Sequence, residues 1–552
     1  MIAGGEGWDR DHRARAFAGL SRAWDIIVVG GGITGAGIAL EAARLGLAVL
    51  LVEQADFARG ASSRSSKLVH GGLRYLSQGK FKLTRDSVRE REELLRIAPG
   101  LVIPQHFLIA VYKVDGMRRQ MVKVGLHIYD WMSGIHSTEV LSPEEVLARV
   151  PILGAEGLAE GFEYRDAQTD DARLVLRVLS DAARAGATTL NYARAVEPVL
   201  EDGRVRGLTI VDEVTGARAQ ARSRVVINAT GPWADRLRGA LELPPKMRPL
   251  RGSHLVFSRE RVPLDYPLSL YHHVDRRPIV IYPWEGATVV GTTDLDHEGE
   301  LDVDPSISGP EVSYLLGEMT RVFPSLQLGL DDIISTYAGV RPVIGTGQRD
   351  PSKESRDHAV WDEHGLLTVT GGKLTTFRLI AVDAVHTALA ALGEEYPVDG
   401  ALPDHPILTE VDPAPLARAL EGVAVEDAAR ERLLGRHGAA AASLVEHARA
   451  VGDPDELTAV PGTAFLWAEL RWAAGREQVV HLDDLLLRRT RIGNVCPGGG
   501  AELLPRVRAV CQAELGWDDA RWEEEEAAYR ALWRRHHWLP ARDQIPALDV
   551  DA

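Results

Sequence analysis

A short run of glycines that directly follows an apolar strand constrains the fold of this chain more than any other feature. Residues 25–30 read D-I-I-V-V-G, a β-branched run that predicts a buried parallel strand. Residues 30–35 read G-G-G-I-T-G, and residues 34–45 then show helical spacing of apolar side chains. A second apolar run, residues 47–53, predicts the next strand. This order of elements predicts the start of an α/β sheet with a right-handed crossover.

The glycine run matches the G-x-G-x-x-G pattern of dinucleotide-binding proteins, in the strand-to-helix position that its mechanism requires. Gly30 permits the tight turn, Gly32 lets the backbone approach a pyrophosphate, and Gly35 lets the helix pack close to the strand. Ile33 and Thr34 open the helix, so free N–H groups and the helix dipole face the phosphates. The segment therefore predicts a dinucleotide site.

Glu53 ends the second strand, where an acid accepts hydrogen bonds from the ribose hydroxyls of adenosine. It would repel a 2′-phosphate, which disfavours NADP. The motif by itself leaves FAD and NAD open, and three later segments favour FAD. Within those segments we predict cofactor contacts from Ser62, Ser63, Ser65, Lys67, Ala229, Thr230, Gly231, Gly372, Lys373, Leu374 and Thr375.

The three segments are small-residue turns beside predicted strands. Residues 59–67 read R-G-A-S-S-R-S-S-K, and their hydroxyls suit a phosphate and flavin channel. Residues 225–231 read V-V-I-N-A-T-G, a strand that runs into a turn small enough for the backbone to lie against a cofactor. Residues 371–376 read G-G-K-L-T-T between a predicted strand, 366–370, and a predicted helix, 377–389. Amides there can stabilise the negative charge of a reduced flavin.

The composition excludes several other classes. Lys plus Arg is 63 and Asp plus Glu is 79, which gives a net charge of −16 and argues against a nucleic-acid partner. We expect no membrane-spanning helix, because no run of 18 uninterrupted apolar residues occurs, and the charged start of the chain does not suit a signal peptide. Cys496 and Cys511 fit neither a redox pair nor a zinc site. The pairs His272-His273 and His536-His537 are predicted to lie at the surface, so we predict no metal.

A proline-punctuated loop, residues 397–415, is the best single domain boundary, and a helix-rich stretch follows it. Short strands at 253–257, 279–283 and 287–291 predict a more exposed sheet in the middle of the chain.

Nine ordered motifs across roughly residues 22–400 carry a family resemblance. They are G-G-G-I-T-G-A-G (30–37), S-S-K-L-V-H-G-G-L-R-Y (65–75), G-F-E-Y-R-D (161–166), D-D-A-R-L-V (170–175), N-A-T-G-P-W (228–233), R-G-S-H-L-V (251–256), G-T-T-D (291–294), Y-A-G-V-R-P (337–342) and G-G-K-L-T-T (371–376). With them the chain resembles the aerobic, quinone-linked FAD-dependent glycerol-3-phosphate dehydrogenases.

The resemblance implies a fold and a domain plan. The fold is α/β, with a glutathione-reductase-like, FAD-binding Rossmann domain, an antiparallel-sheet substrate cap and a helical C-terminal domain. We assign 22–400 to the FAD-binding domain interleaved with the cap, which takes roughly 95–165 and 247–335. Residues 405–552 are assigned to the helical domain, and residues 1–21 form an N-terminal extension.

The resemblance also implies the reaction and its partners. The expected substrate is sn-glycerol 3-phosphate, oxidised to dihydroxyacetone phosphate by hydride transfer from C2 to flavin N5, and the expected acceptor is quinone. Because quinone is lipid-soluble, we expect a cytoplasmic protein in peripheral contact with the inner membrane surface. Arg/Trp clusters near Arg13–Trp24 and Trp533–Trp538 are the candidate contacts. We carry a homodimer as a hypothesis that the sequence does not address.

The substrate phosphate calls for fixed cations, preferably guanidinium groups. The candidates are Arg74, Arg341 and Arg356, with Lys373 beside the flavin; Arg356 rests mainly on the resemblance. His254 is our first choice for the base that takes the C2 hydroxyl proton, because a histidine pKa can lie near the working pH. Arg341 and Lys373 are expected to stabilise the developing alkoxide.

His70, followed by Gly71, is assigned to flavin contact rather than to proton transfer. Three alternatives stay open: a glycerol-3-phosphate oxidase that uses oxygen, an amine or amino-acid oxidase on the same fold, and a flavin-binding protein without catalytic activity.

Overall fold

The computed structural model describes residues 8–76, 79–113, 119–348, 354, 357–395, 405–423 and 425–548. In chain order its strands are β1 Ala23–Val29, β2 Val49–Val52, β3 Leu68–Val69, β4 Val102–Tyr112, β5 Glu139–Leu141, β6 Leu158–Thr169, β7 Thr188–Leu190, β8 Ala193–Glu201, β9 Arg204–Asp212, β10 Arg218–Asn228, β11 Met247–Ser258, β12 Leu268–Tyr271, β13 Pro278–Trp284, β14 Ala287–Gly291, β15 Leu295–Asp296, β16 Ile333–Ile344, β17 His358–Glu363 and β18 Leu366–Gly371.

The α-helices connect and cover these strands. In chain order they are α1 His12–Ala18, α2 Ile33–Arg44, α3 Leu73–Leu76, α4 Phe81–Ile97, α5 Arg119–Ser133, α6 Pro143–Arg149, α7 Asp171–Arg184, α8 Ala234–Gly239, α9 Gly309–Val322, α10 Phe377–Ala391, α11 Ala414–Ala419, α12 Asp427–His437, α13 Ala441–Val451, α14 Trp467–Arg476, α15 Leu482–Asp484, α16 Ile492–Val495, α17 Leu504–Leu515 and α18 Asp519–His536. A single π-helical turn, Leu485–Arg489, follows α15.

The first sheet forms a doubly covered α/β layer. Its strand order is β17-β18-β10-β1-β2-β7, and the neighbours from β18 to β7 are parallel. β17 adds an antiparallel edge, and β9 joins the start of β10 with β8 beyond it. The predicted strand–turn–helix–strand unit is β1, α2 and β2, so the glycine turn lies at the carboxyl edge of the parallel strands.

The second sheet forms the cap. Its order is β15-β11-β14-β13-β12-β4-β6-β3, with β16 paired to β11 and β5 to β6. The sheet takes β3, and all but the first three residues of the long strand β16, from outside the two segments predicted for the cap. We expected an antiparallel sheet, but β12 and β4 pair in parallel, Leu268 with Leu108 and Ser269 with Ile109. The parallel pair occurs because it joins two hairpin systems from distant parts of the chain, with no tight turn to reverse direction.

The core of the first layer lies between the parallel sheet and α2, α7 and α10. Helix α2 buries ten of its twelve residues there, which explains its rows of alanine and glycine. Residues 374–391 have the length and hydropathy of a membrane span, and 56% of that stretch is buried inside the fold. This stretch includes α10, which packs on α2, so it serves here as a core helix.

The helical C-terminal part packs on one face of the cap sheet, opposite the face that α9 covers. One apolar cluster combines Tyr282, Trp284 and Tyr337 of that sheet with Trp522 and Trp533 of α18. Much of the predicted boundary loop, residues 397–415, lies outside the described residues. Beyond it the chain folds onto the cap and shares a core with it.

Candidate active site

The glycine turn has the geometry that a dinucleotide needs. Gly30 has φ +115°, and a Cβ on Gly35 would lie 1.9 Å from the Gly30 carbonyl oxygen. The Ile33 amide donates to Ser62 Oγ at 3.0 Å, which ties the start of α2 to the serine-rich loop. A Cβ on Gly32 would meet Ser62 Oγ at 3.1 Å, so only a bare backbone leaves this approach open.

Glu53 lies beside this turn at the end of β2. Its carboxylate accepts hydrogen bonds from the amides of Gly31, at 2.7 Å, and Ala55, at 3.0 Å. Burial raises the pKa of Glu53, and the two N–H donors partly offset that rise. The carboxylate therefore braces both loops that would surround an adenosine.

A cavity of about 550 Å³ runs from the glycine turn to the cap sheet, with walls from both sheets. The predicted cofactor residues that line it are Gly30, Gly32, Ile33, Thr34, Glu53, Ser62, Ser65, His70, Ala229, Thr230, Gly231, Gly372, Lys373, Leu374 and Thr375. Such a volume, with small-residue turns along one wall, suits a large planar ligand.

Four residues predicted to touch the cofactor lie behind this wall: Gly35, Ser63, Lys67 and Gly71. Lys67 is buried and donates from Nζ to Asp171 at 2.9 Å and to the Ser63 carbonyl. Burial lowers the pKa of Lys67 to about 8, since Asp171 compensates only part of the lost hydration. Lys67 therefore holds the serine-rich loop in shape from its buried side.

The turn at His70 and Gly71 is fixed from the cap side. The Gly71 amide donates to Asp166 Oδ1 at 3.1 Å, and Asp166 also accepts from Arg91 and Tyr129. His70 faces the cavity, and burial lowers its pKa to about 3. A neutral imidazole is therefore presented to the cofactor.

Lys373 reaches the cavity from the turn after β18. Its ammonium lies 3.6 Å from the centre of the Tyr75 ring and 3.3 Å from Ser87 Oγ. Burial lowers the pKa of Lys373 to about 7, although Asp357 opposes the shift. The group can therefore both carry and accept a proton near neutral pH.

The cap side of the cavity carries two guanidinium groups that share one carboxylate. Arg341 donates to Asp294 Oδ1 at 2.8 Å and to Thr292 Oγ1 at 3.0 Å. Arg277 lies 3.5 Å from Asp294 Oδ2, and all three residues line the cavity. Arg277 also lies 3.5 Å from Asp275 Oδ2, so carboxylates hold both guanidinium groups in place on the cavity wall.

Arg277 was not among the residues predicted from sequence. It stands in Asp275-Arg276-Arg277 in the turn between β12 and β13, where sequence alone suggests a solvated charge cluster. The one available signal was its position just before the predicted strand 279–283, at the cavity end of a hairpin.

His254, our predicted base, does not line the cavity. Its ring is 1% exposed, stacks on Tyr337 at 4.4 Å, and pairs through Nε2 with Ser66 Oγ at 2.9 Å. Burial, with Lys67 and Arg341 nearby, lowers its pKa well below the usual range. Ser66 lines the cavity, so His254 reaches it only through that hydroxyl. The sequence could not reveal that His254 is buried behind Ser66, because the side chains of β11 point alternately to two faces of the sheet and both faces are covered.

The side chains of two predicted arginines lie outside the described part of the structure. Arg74 lies in α3, and its side chain is outside the described part of the structure. Arg356 lies outside the described residues altogether.

The predicted surface position of the two histidine pairs is wrong. His272 stacks on His273 with ring centres 4.6 Å apart, and His273 Nδ1 pairs with buried Glu318 at 2.7 Å. His272 is held by the Tyr314 carbonyl at 3.1 Å and the Val274 amide. His536 and His537 are also buried. Loop turns, rather than regular strand or helix geometry, let the neighbouring imidazoles 272 and 273 face the same way.

Comparisons with known proteins agree with this architecture. A family model described as FAD dependent oxidoreductase matches residues 25–378, and one described as the C-terminal domain of alpha-glycerophosphate oxidase matches residues 393–522. Glycerol-3-phosphate dehydrogenase 2 of Mycobacterium bovis is 34% identical, over 96% of this chain and 92% of its own length. The chain belongs to the FAD-dependent glycerol-3-phosphate dehydrogenase/oxidase family.

Solved structures of related proteins share the fold of this chain over most of its length. The glycerol-3-phosphate dehydrogenase of Bacillus halodurans, solved with FAD, is 26% identical and matches with a TM-score of 0.77 over 96% of this chain and 98% of its own. The L-alpha-glycerophosphate oxidase of Mycoplasma pneumoniae, at 18% identity and TM-score 0.56 over 71% of this chain and 99% of its own, shares the fold. The predictions of family, fold class and FAD are confirmed.

The residues of this family member fit FAD. The bare backbone at Gly32, the first turn of α2 and the carboxylate of Glu53 surround one part of the cavity. The turns at 229–231 and 371–372, where Gly231, Gly371 and Gly372 have positive φ, line another part without bulky side chains.

Proposed function

We propose that this protein oxidises sn-glycerol 3-phosphate to dihydroxyacetone phosphate. The proposal rests on one observation above the others: a cavity lined by the dinucleotide turn also contains two arginines and a lysine whose pKa lies near 7. Bound FAD supplies a hydride acceptor at N5 for the hydrogen on C2 of the substrate. The other tasks, binding the phosphate and removing one proton, belong to side chains of this chain.

Arg277 and Arg341 bind the substrate phosphate in this proposal. A phosphate monoester carries nearly two negative charges at neutral pH, and guanidinium forks match its oxygens. Asp294 keeps both side chains on the cavity wall, so little conformational entropy is lost on binding. Arg74 and Arg356 remain further candidates from the sequence.

Lys373 takes the proton of the C2 hydroxyl. It is the cavity-lining cation described here whose pKa is lowered to about 7, so its neutral form is well populated at neutral pH. After the transfer its positive charge offsets the anionic phosphate and the charge received by the cofactor. His254 is the alternative, acting through Ser66, to which it is hydrogen-bonded.

We further propose that electrons pass from the cofactor to quinone. The dehydrogenase names among the relatives support this acceptor, and so do the exposed apolar side chains of α4 and α5 described next. Oxygen is the alternative, since the model that matches residues 393–522 carries an oxidase name.

A surface formed by the start of α4 and by α5 is our candidate for peripheral membrane contact on the cytoplasmic face of the membrane. Phe81 is 54% exposed, Val124 57% and Trp131 76%, and Val124 and Trp131 share one face of α5. Exposed Lys82 and Lys123 lie beside them and would attract anionic lipids.

The terminal clusters that the sequence suggested for membrane contact expose fewer aromatic rings than this surface. Trp24 is 3% exposed and donates to the Leu20 carbonyl, Trp533 is also buried, and Arg13 pairs with Asp212. Trp538 is exposed, as are Arg534 and Arg535 of the same cluster, so the C-terminal cluster remains the alternative contact surface.

The reaction is tested by absorption spectroscopy of the purified yellow protein without oxygen. Glycerol 3-phosphate should bleach the flavin bands within the time of catalytic turnover, whereas amino acids and glycerol should not. Bleaching by an amino acid would favour an amino-acid oxidase, and failure of every substrate would indicate a flavin-binding protein without catalysis. Rapid return of colour with a quinone analogue, but slow return in air, would support quinone over oxygen.

A further inference from the structure

Three arginines of the C-terminal part are buried against the FAD-binding part. Arg488 and Arg489 belong to the π-helical turn after α15, and Arg491 precedes α16. Their exposed fractions are 2%, 0% and 1%. Arginine is almost never fully buried without a paired anion, so the identity of the anions indicates what these side chains do.

Arg491 pairs with the first residues of α7. Its guanidinium contacts Asp171 and donates to Asp170 at 2.9 Å from Nε. It also donates to the Ser63 carbonyl at 3.3 Å, inside the serine-rich loop that borders the cavity. One side chain from the C-terminal part therefore touches both the loop and the aspartate that supports it.

Asp171 carries the contact on to the cofactor cavity. Its Oδ2 accepts from the Ser65 amide at 3.0 Å and from Ser65 Oγ at 2.7 Å, and it also pairs with Lys67. Ser65 lines the cavity, as does Ser62, whose Oγ accepts from the Ile33 amide of the glycine turn. These hydrogen bonds, together with the backbone from Ser62 to Ser65, thus connect Arg491 to the phosphate-binding end of α2.

Arg489 makes a similar contact at the other loop. Both its terminal nitrogens donate to Asp56, at 2.6 and 2.8 Å, and Arg488 also contacts Asp56. Asp56 follows Ala55, whose amide donates to Glu53 and which lines the cavity. Because burial by itself would favour a neutral carboxyl group, the charge of Asp56 depends on these two arginines, which hold its pKa at about 2.

We propose that Arg491 and Arg489 are positioning residues for FAD, and that the helical C-terminal part holds the two loops that enclose the cofactor. Arg491 fixes the serine-rich loop through Asp171, and Arg489 fixes the loop after β2 through Asp56. Neither arginine is among the residues that line the cavity in the described part of the structure. The proposal is independent of the substrate and of the electron acceptor.

The test compares holoenzyme variants by their retention of FAD. The variants are Arg491→Met, Arg491→Lys and, as a matched control, Arg432→Met. Arg432 also joins the C-terminal part to the rest of the molecule, through a bidentate pair with Glu285 at 3.0 and 2.6 Å, but it contacts neither cofactor loop. Flavin fluorescence on dilution gives the dissociation constant, the visible spectrum reports the flavin surroundings, and circular dichroism gives the thermal midpoint.

We expect Arg491→Met to weaken FAD binding by at least about tenfold, the lower end of what loss of a supporting residue costs in metal sites, which are held in the same way. Its visible bands should broaden toward those of free flavin. Arg491→Lys should recover part of the affinity, because an ammonium can reach Asp171 but cannot also span Asp170 and Ser63. Arg432→Met should lose a similar amount of thermal stability and keep its FAD.

Equal FAD affinity in Arg491→Met and Arg432→Met would overturn the proposal, since the arginine would then be structural only. If Arg491→Met cannot be purified, Arg491→Lys decides: unchanged affinity and spectrum would count against the proposal. Failure of the proposed reaction would look different, because wild-type protein would retain FAD and glycerol 3-phosphate would not bleach it.

Discussion

Lys373 owes its place in the proposed chemistry to burial. A lysine that is half neutral near pH 7 can accept a proton, and the same group becomes a cation that stabilises negative charge. His70 and His254 are also neutral, but their pKa values are lowered so far that they would be weak bases. Burial thus lets a lysine, which would be fully charged on the surface, take part in proton transfer.

The pH dependence of the reaction should report this lysine. Because only the neutral amine accepts a proton, kcat/KM should rise as the pH increases through about 7 and then level off. Lys373→Met should lower kcat by about a hundredfold to ten-thousandfold, the usual contribution of a general base, and should remove that limb. Steady-state kinetics with a quinone analogue between about pH 5.5 and 9, a range in which Lys373 changes from charged to neutral, measures kcat and kcat/KM.

Lys373→Arg separates proton transfer from charge. An arginine keeps the positive charge but is not deprotonated in this range, so the variant should stay nearly as impaired as Lys373→Met. Near-normal kcat in Lys373→Arg would contradict the assignment of the base and would favour His254 acting through Ser66. In that case Ser66→Ala should show the larger loss.

Arg277→Met should affect substrate binding more than turnover. A hydrogen bond between charged groups contributes about 1.5–3 kcal/mol, so KM for glycerol 3-phosphate should rise about ten- to a hundredfold with little change in kcat. The neighbouring exposed Arg276, whose guanidinium lies over the Tyr271 ring, provides the control as Arg276→Met. Equal KM values for the two variants would remove Arg277 from the phosphate site.

Individual residues differed in how well the sequence predicted them. The glycine turn could be predicted because its contacts are local and its neighbours in the chain are its neighbours in space. Arg277 and His254 could not be placed in this way, because their surroundings come from strands far apart in the chain. A charged triplet in a turn looks like a solvated surface until the cavity wall around it is known.

At the level of elements, a larger side chain in the turn between β1 and α2 tests whether the backbone there approaches FAD closely. Gly32 has φ −82°, which other residues adopt without strain, so only the space around it requires glycine. Gly32→Val should fold but lose FAD on gel filtration, because its side chain would displace Ser62 and occupy the approach of the pyrophosphate. The unfolding free energy should fall by only about 1–3 kcal/mol, as for other overpacked sites.

Gly239→Val is the control for this substitution. Gly239 ends α8 at an exposed position, and a Cβ there would meet no atom within 4 Å. This variant should stay yellow. A Gly32→Val protein with normal flavin content would show that the turn does not approach the cofactor as closely as inferred.

Most elements around the cofactor could be predicted from periodicity. The strands expected at 279–283 and 287–291 coincide with β13 and β14, and the helix expected at 377–389 is α10. The parallel pairing of β12 with β4 could not be predicted, because strand direction in a sheet depends on which distant segments meet. The buried position of His536 and His537, at the end of α18, likewise depends on the docking of one part of the chain on another.

At the scale of the whole molecule, the net charge of −16 opposes contact with anionic lipid except where cations and apolar groups are concentrated. The surface of α4 and α5 is such a place. The double variant Phe81→Ala/Trp131→Ala should bind anionic vesicles about a hundredfold or more weakly in low salt, because each aromatic ring that enters the interface contributes about 1.5–3 kcal/mol. Vesicle sedimentation with and without added salt measures this.

Trp538→Ala is the matched control for the vesicle experiment, since Trp538 is 38% exposed and belongs to the terminal cluster. It should bind vesicles as the unaltered protein does. The opposite pattern, a loss in Trp538→Ala alone, would move the contact surface to the C-terminal part. Unimpaired binding by every variant would remove both surfaces.

The shared apolar core of the cap sheet and α18 limits how this molecule can be recombined. Tyr282 and Trp284 form one side of that core, and Trp522 and Trp533 form the other. A chimera that takes its C-terminal part from a relative would pair two surfaces whose side chains do not match. A cut at the proline-rich segment would expose aromatic rings on both fragments. A working chimera therefore needs matched side chains on both sides of this interface.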